Sequence, residues 1–306
     1  MNDIRIGLID VDGHNFPNIP LMKIAAWHKE QGNEVEWYEP LFSGHMDKVY
    51  MSKVFTFTPD YPYYVDADHI EKGGTGYFYP DGGDPLPDYI EHIYPDYTIY
   101  HNKIPATKNT AYGFLTRGCP RGCDFCIVAT KEGKCSIKVA DLSEFWNGQR
   151  NIVLLDPNMY ACREWRELSQ QLIDSGAWVD FSQGCDIRLM TPEKAEMIKQ
   201  MKIKQIHFAW DRYEEKERIV PKFKEFKEIT GWDERKLPVY VLTNFNTTHE
   251  QDLDRIYTLR EMGYWPYVMV YEKEKLPKGH ITRKLQRWVN RRAVFARIKD
   301  FNDYAG

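Results

Sequence analysis

The sequence has few cysteines, and all of them lie in its middle part. None of the six precedes Cys119 and none follows Cys185. No apolar run approaches the roughly 20 residues that span a bilayer, and the N-terminal residues lack the basic and then apolar layout of a signal peptide. These absences argue against a disulfide framework and a membrane partner, and they predict a cytoplasmic chain.

An excess of positive charge is also lacking. The formal net charge is -4 and the isoelectric point is about 6.2, which argues against a chain devoted to polyanions while leaving room for a local basic patch. Hydrophobic residues make up 42% and aromatic residues 14% of the 306 positions. This composition is sufficient for a core in one large domain, or in a small domain joined to a medium one.

Residues 1–80 are predicted to form a small, open, Rossmann-like α/β module. The short apolar run Ile4–Val11 and the alternating segment Glu34–Tyr38 have the length of strands. A helix that opens near Pro20 is predicted between them, because its apolar residues fall on one face. Met51–Phe57 is a further candidate strand.

Residues 81–110 are rich in Pro, Tyr, Asp and Gly, so a linker with one short helix near Tyr89–Ile93 is predicted. In 111–272, strands and helices alternate. The predicted strands are Tyr112–Thr116, Ile152–Leu155, Trp178–Gln183, Gln205–Ala209, Val239–Leu242 and Tyr267–Val270. The predicted helices include Glu164–Ser175, Pro192–Met201, Arg218–Thr230 and Glu250–Met262. Six βα units in a row indicate a parallel sheet in a partial (β/α)6 barrel, with chemistry at the C-terminal ends of the strands.

The strongest chemical signal is the segment 117–126, RGCPRGCDFC, directly after the first of these strands. Its C-x3-C-x2-C spacing places three thiolates on one loop. Three thiolates bind three irons of a cubane cluster and leave the fourth iron open, as a catalytic metal centre requires. Gly118 and Gly122 allow the loop to wrap tightly, and Arg117 and Arg121 are expected to offset the negative charge of the thiolates.

Two alternatives use the same residues. A structural zinc site needs four ligands, usually in two separated pairs, and the nearest further cysteine, Cys135, belongs to no second pair. The other alternative is three thiols without a metal. The spacing on a single loop after a strand favours the cluster. Cys135, Cys162 and Cys185 are too scattered for an auxiliary cluster and are predicted to be buried thiols.

This loop resembles that of the radical S-adenosylmethionine (SAM) superfamily, with Phe125 in the aromatic position of C-x3-C-x-aromatic-C. The resemblance covers 111–270. It implies a radical SAM partial barrel with one [4Fe–4S] cluster on Cys119, Cys123 and Cys126, and SAM chelated at the open iron. One electron from a donor such as flavodoxin or ferredoxin would cleave SAM to methionine and a 5′-deoxyadenosyl radical. That radical would abstract a hydrogen atom from the substrate.

The same resemblance points to SAM contacts at the ends of four strands. The candidate SAM-binding residues are Phe125, Asp156, Asn158, Asp186, Arg188, Asp211, Thr243 and Asn244. Asp156 and Asn158 stand where the family often has Gly-Gly-Glu, and Asn244 stands where many members have glycine. The alternative for each is a helix cap, because Asp, Asn and Thr are common between a strand and a helix.

The N-terminal module resembles the cobalamin-binding domain that precedes many radical SAM barrels. Asp12-x-His14 follows the first strand, and Gly73-Gly74 follows a later one. In that domain, D-x-H-x-x-G supplies a histidine to cobalt. Pro17 replaces the final glycine here and the module is short, so bound cobalamin is not expected. The alternative is that His14 satisfies the backbone of a turn.

The C-terminal residues 273–306 are predicted to form a basic amphipathic helix. Its apolar residues on one helical face are Ile281, Leu285, Trp288, Val289 and Phe295. A helix that closes the barrel with a solvated basic face is favoured over a surface for nucleic acid. Docking of an acidic flavodoxin or ferredoxin is a third use.

The sequence therefore predicts a radical SAM enzyme whose substrate is unknown: a peptide, a nucleic acid or a small molecule. Two alternatives stay open. A cobalamin-dependent radical SAM methyltransferase predicts a cobalt chromophore, with His14 as the ligand. A non-catalytic metal-binding module in a nucleic-acid-binding protein predicts salt-dependent polyanion binding without turnover of SAM.

Overall fold

A computed structural model describes residues 4–13 and 15–306, which form a mixed α/β chain with parallel sheets. This confirms the predicted α/β class. His14, the candidate cobalt ligand, lies outside the described residues. The chain divides into two compact units, Met1–Val153 and Leu154–Gly306. The boundaries expected from the sequence, after residues 80, 110 and 272, stay predictions.

The first unit contains short strands and three helices among its described residues. The strands that begin in it are β1 (Arg5–Asp10), β2 (Glu34–Trp37), β3 (Met46–Ser52), β4 (Ala67–Gly73), β5 (Thr110–Gly113), β6 (Thr116–Arg117), β7 (Ile137–Lys138) and β8 (Asn151–Leu154). The helices are α1 (Ile19–Glu30), α2 (Asp88–Glu91) and α3 (Val128–Lys131).

Strands β1 to β4 form a parallel sheet in the order β2-β1-β3-β4. Ile6 and Leu8 of β1 pack with Leu21 and Ile24 of α1 in one buried cluster. The other face is covered by a second cluster that includes Val49 of β3. Parallel sheets need cover on both faces, and the alternating apolar residues of β1 and β3 supply it.

The predicted strand at Met51–Phe57 is wrong, because the chain leaves the sheet after Ser52. The carboxylate of Asp12 accepts a hydrogen bond from the backbone N–H of Val54 at 2.5 Å and from the Thr58 hydroxyl at 2.7 Å. These contacts hold residues 53–58 in a loop. A side chain distant in sequence therefore fixes a conformation that the local apolar pattern does not reveal.

The second unit continues the alternation of strands and helices. Its strands are β9 (Trp178–Cys185), β10 (Lys202–Ala209), β11 (Pro238–Thr243) and β12 (Trp265–Val270). Its helices are α4 (Trp165–Ser175), α5 (Pro192–Lys199), α6 (Lys216–Thr230), α7 (His249–Glu261), α8 (Ile281–Asn290) and α9 (Arg292–Arg297). The predicted helices and the last five predicted strands are all present, with ends shifted by a few residues.

The larger sheet has six strands in the order β5-β8-β9-β10-β11-β12. Each strand lies beside its neighbour along the chain in this sheet, and helices α4 to α7 connect the last five strands in turn. A sequential order with crossover helices is the order that a partial barrel requires. The first predicted strand, Tyr112–Thr116, is divided into β5 and the two-residue strand β6.

The basic C-terminal segment forms two short helices instead of one. The break falls at Arg291, whose backbone is extended with φ -89° and ψ 92°. Leu285, Trp288 and Phe295 are buried as predicted, in a cluster with Val268 of β12. Among the described residues, no helix is both long enough and apolar enough to cross a membrane.

The glycine-rich turn after β4 provides a test of this packing. Gly74 has φ +95°, and a Cβ there would collide with the carbonyl oxygen of Lys53. Gly148 has a similar φ of +84° but open space around it. We expect Gly148→Ala to cost about 1–2 kcal/mol from backbone strain alone. Gly74→Ala should cost roughly 2 kcal/mol more, because overpacking is added.

Urea unfolding of the two variants and the wild type measures this difference. Equal losses of unfolding free energy in Gly74→Ala and Gly148→Ala would contradict the close approach of the glycine turn to β3.

Candidate cluster loop and strand ends

The three cysteines of the motif lie on a loop that is closed at its base. Strands β6 and β7 pair antiparallel, with Arg117 opposite Ile137. Residues 118–136 lie between them, and the backbone N–H of Cys119 donates to the carbonyl of Gly133 at 3.1 Å. The loop therefore leaves and re-enters a two-stranded ribbon, so its two ends are held together.

Gly118 is required by the close approach of two parts of this loop. Its φ is +83°, and a Cβ at this position would collide with the carbonyl oxygen of Cys135 and lie 3.0 Å from that of Glu132. Gly122 also has a positive φ, of +55°, with open space around it. The structure thus confirms that both glycines permit a tight turn, and at Gly118 only glycine fits.

Glu132 holds the start of the loop. Its carboxylate accepts a hydrogen bond from the backbone N–H of Gly118 at 3.3 Å and from Nη1 of Arg117 at 3.0 Å. The Arg117 guanidinium also lies 3.6 Å from the centre of the Phe114 ring. Arg117 forms an ion pair with Glu132, and its expected effect on the charge of the thiolates stays a prediction.

The cysteines of the loop are accessible to different degrees. Cys119 and Cys123 are half-buried and Cys126 is exposed, while the backbone N–H of Cys126 donates to the carbonyl of Cys123 at 2.9 Å. Phe125 between them is half-buried. The prediction that Cys135 is buried is wrong: Cys135 is exposed, and it contributes its backbone carbonyl to the contact with Gly118.

The other two cysteines are buried, as predicted, and both lie in the second unit. The Cys162 thiol donates to Oε2 of Glu164 at 3.0 Å, and burial raises the pKa of this thiol to about 11. Burial also raises the pKa of Cys185 far above its ordinary value. None of the six cysteines, all of which the structure describes, forms a disulfide.

Within residues 4–13 and 15–306, no group of three or more His, Cys, Asp or Glu side chains is arranged to hold a single metal ion. The ligands of a zinc ion converge on one point. Three thiolates on a cubane cluster bind three different irons and so need not converge in this way.

Two candidate SAM contacts in the second unit are joined in an ion pair. Asp186 accepts from Nε of Arg188 at 2.6 Å and from the backbone N–H of Arg188 at 3.1 Å. Nη1 of Arg188 donates to Glu215 at 2.6 Å. Asp186 therefore also caps the 3₁₀ turn Ile187–Leu189, which is the cap role weighed against a ligand contact.

The remaining candidates at the strand ends are largely buried. Asp156 and Asn158 are buried, and so is Thr243, whose hydroxyl donates to the carbonyl of Met269 at 3.1 Å. Asn244 has φ +61°, and its amide donates to the carbonyl of Tyr271 at 2.9 Å. Asparagine tolerates this left-handed conformation, so Asn244 keeps the backbone that a glycine would adopt there. SAM binding by these four residues stays a prediction.

Sequence reasoning missed Arg255, the residue that joins two of these strand ends. Its fully buried guanidinium donates to the carbonyls of Trp210 at 2.6 Å and Leu242 at 2.7 Å, and to Asp252 at 2.5 Å. Nearby, burial raises the pKa of Asp211 to about 6, although Arg255 opposes the shift. The sequence feature that could have identified Arg255 is its place on the buried face of α7, between Asp252 and Leu259.

The N-terminal motif residues make contacts within their own unit. Asp12 holds the loop after β3, as described above. Gly76 donates its N–H to the carbonyl of Lys53 at 2.8 Å, and a Cβ at Gly76 would lie 2.8 Å from the carbonyl oxygen of Phe55. The glycines after β4 therefore serve the approach of one backbone segment to another.

Comparison with known proteins does not assign this chain to a family. No family model matches the chain, and the search of curated proteins gave no match. The function proposed below therefore depends on the spacing of the cysteines and on the contacts of their loop.

The buried guanidinium gives a stability prediction for the second unit. We expect Arg255→Met to lower the unfolding free energy by about 3–5 kcal/mol, because it removes the charged partner of the buried Asp252 carboxylate and the donor to two carbonyls. Arg235→Met is a matched control, since the Arg235 side chain is 79% exposed beside Asp233. It should change stability by no more than about 0.5 kcal/mol.

Denaturant unfolding followed by circular dichroism compares the two variants. A loss of stability in Arg255→Met no larger than in Arg235→Met would show that Arg255 does not hold the ends of β10 and β11.

Proposed function

We propose that this chain is a radical SAM enzyme, with Cys119, Cys123 and Cys126 as ligands of one [4Fe–4S] cluster. The observation that carries the proposal is the cysteine loop itself. It presents C-x3-C-x2-C between the paired strands β6 and β7, and Glu132 fixes its start. The sequential parallel order of the larger sheet supports the proposal, because the family's partial barrel has that order.

The donor set fits this cluster better than a structural zinc ion. Three thiols come from one loop, two of them half-buried and one exposed, while zinc sites of this kind are closed by a fourth ligand. The three cysteines would hold the cluster and leave one iron for the amino and carboxylate groups of SAM. When bound, the cluster supplies the single electron for cleavage of SAM to methionine and a 5′-deoxyadenosyl radical.

The chain's own residues would then have three tasks. The thiolates bind the cluster, the Arg117–Glu132 pair keeps the loop in its conformation, and polar residues at the ends of β8 to β11 orient SAM. The last task is assigned from the family resemblance to Asp156, Asn158 and Asp211. The electron donor would be a flavodoxin or ferredoxin, and the radical would take a hydrogen atom from an unreactive carbon of the substrate.

The decisive experiment is anaerobic reconstitution with iron and sulfide, followed by SAM and dithionite, with 5′-deoxyadenosine quantified. The wild type should bind about four irons per chain and form 5′-deoxyadenosine. The triple variant Cys119→Ala, Cys123→Ala, Cys126→Ala should do neither. Cys135→Ala is the matched control, since Cys135 is an exposed cysteine of the same loop outside the motif, and it should behave as the wild type.

Metal analysis separates this proposal from a zinc site. Zinc bound in place of iron, with loss of the metal in Cys135→Ala, would overturn the cluster and indicate a four-cysteine structural centre.

The hydrogen bonds of Glu132 predict how firmly the loop holds the cluster. Glu132→Ala removes the acceptor of both the Gly118 amide and Arg117, and we expect several-fold less iron per chain after reconstitution. Glu132→Gln keeps an acceptor oxygen, so it should retain most of the iron. Iron and sulfide content, measured colorimetrically, checks both variants. If Glu132→Ala binds as much iron per chain as a fully loaded wild type, Glu132 does not stabilise the cluster loop.

A further inference from the structure

One face of strands β9 to β12 carries polar and aromatic side chains where a parallel sheet ordinarily carries aliphatic ones. On the opposite face, Phe208 of β10 packs against Phe223 and Phe226 of α6, with ring centres 5.9 Å and 5.0 Å away. Residues that alternate with the buried ones point to the polar face. They include Asp180, Ser182, His207, Tyr240, Tyr267 and Met269. Strands of parallel sheets are usually apolar on both faces. The polar side chains here therefore point to a role in binding rather than in core packing.

The imidazole of His207 is fixed in one tautomer. Its Nδ1 lies 2.9 Å from the carbonyl oxygen of Phe181, so Nδ1 must donate. The ring also stacks on Tyr240, with centres 5.0 Å apart and planes 13° from parallel. Burial lowers the pKa of His207, and the nearby Arg292 lowers it further. The ring is therefore neutral at pH 7, and its Nε2 is a hydrogen-bond acceptor.

A carboxylate oxygen beside this ring makes no hydrogen bond. Oδ1 of Asp180 is buried and has no hydrogen-bond partner within the described part of the chain. It lies 3.7 Å from Nδ1 of His207, which is beyond hydrogen-bond distance. Burial raises the pKa of Asp180 to about 6, and Lys204 opposes this shift. An unsatisfied buried oxygen is costly, and a ligand that donates to it would remove the cost.

Two tyrosines form an aromatic wall at the same place. Tyr240 and Tyr267 meet edge to face, with ring centres 5.9 Å apart, and the Tyr240 hydroxyl donates to the carbonyl of Ser182 at 2.8 Å. Tyr267 is 40% exposed and Met269 is 45% exposed, so this end of the face is open. Fixed aromatic rings with an open side favour a planar ligand.

We propose that this face binds a nucleobase, whose ring packs on Tyr240 and Tyr267 and whose N–H groups pair with Asp180 Oδ1 and His207 Nε2. Both polar atoms are acceptors, so the ligand must supply the donors. A planar ring with adjacent N–H donors on one edge, as on guanine N1 and N2, meets both requirements. Phenyl and phenol rings offer no ring N–H. The inference does not depend on the iron–sulfur cluster.

The test is equilibrium dialysis of the full-length chain, without reconstitution, against radiolabelled guanosine. The wild type should bind guanosine saturably, and N1-methylguanosine, which lacks one donor, should compete at least about tenfold less well. Asp180→Val and Tyr267→Leu should each weaken binding about tenfold or more. Asp174→Asn, at an exposed position on α4, should leave it unchanged.

Folding of the variants is checked separately. Asp180→Val should melt no lower than the wild type, because the buried Oδ1 that it removes has no hydrogen-bond partner among the described residues. The absence of saturable binding by the wild type at millimolar guanosine would overturn the proposal. Binding of equal affinity in Asp180→Val and Tyr267→Leu would overturn it as well, since the base would then bind elsewhere. Because the dialysis uses no cluster, neither result alters the radical SAM proposal.

Discussion

The cysteine loop depends on the contact between Gly118 and the chain that returns to β7. The carbonyl of Cys135 occupies the space that a side chain at position 118 would need. The Glu132 carboxylate then receives the amide of the same glycine. Both contacts join the start of the loop to its end, so the three cysteines are presented from a closed segment whose ends are fixed. A loop whose ends are fixed loses less conformational entropy when its thiolates bind a metal centre.

The second unit is organised around charges that are buried on its helical side and polar groups that line its other face. Arg255 lies within α7, yet its hydrogen bonds reach the backbone at the ends of β10 and β11. Such a guanidinium is costly to bury unless its donors are satisfied. The Nη atoms of Arg255 donate to the carbonyls of Trp210 and Leu242, which fixes how these two strand ends lie against each other, while its buried Nε has no hydrogen-bond partner among the described residues. The positive charge of Arg255 also acts on Asp211 in the adjoining turn, and it limits the rise in the pKa of Asp211 that burial causes.

Local periodicity predicted most of the second unit and less of the first. The later strands and helices were predicted within a few residues, since each combines an apolar face with a clear start or stop, such as Thr191 before Pro192. The strand at Met51–Phe57 was wrong because Asp12 holds that segment in a loop from about forty positions away. Long-range contacts of one carboxylate leave no trace in a local pattern. The same limit hid Arg255. Cys135 was expected to be buried because free cysteines usually are, and its place in the loop overrides that tendency.

Contacts also change what the motif residues of the first unit imply. Asp12 and the glycines after β4 were considered as parts of a cofactor site, and the structure gives each a partner in the surrounding loops. The Asp12 carboxylate accepts hydrogen bonds from Val54 and Thr58, so its presence after β1 is explained by the loop that it holds. The lack of a side chain at Gly74 is explained by its close approach to the backbone of Lys53. The sheet β2-β1-β3-β4 is covered by two buried clusters, and the chemistry proposed for this chain is assigned to the loop between β6 and β7 and to the ends of β8 to β11.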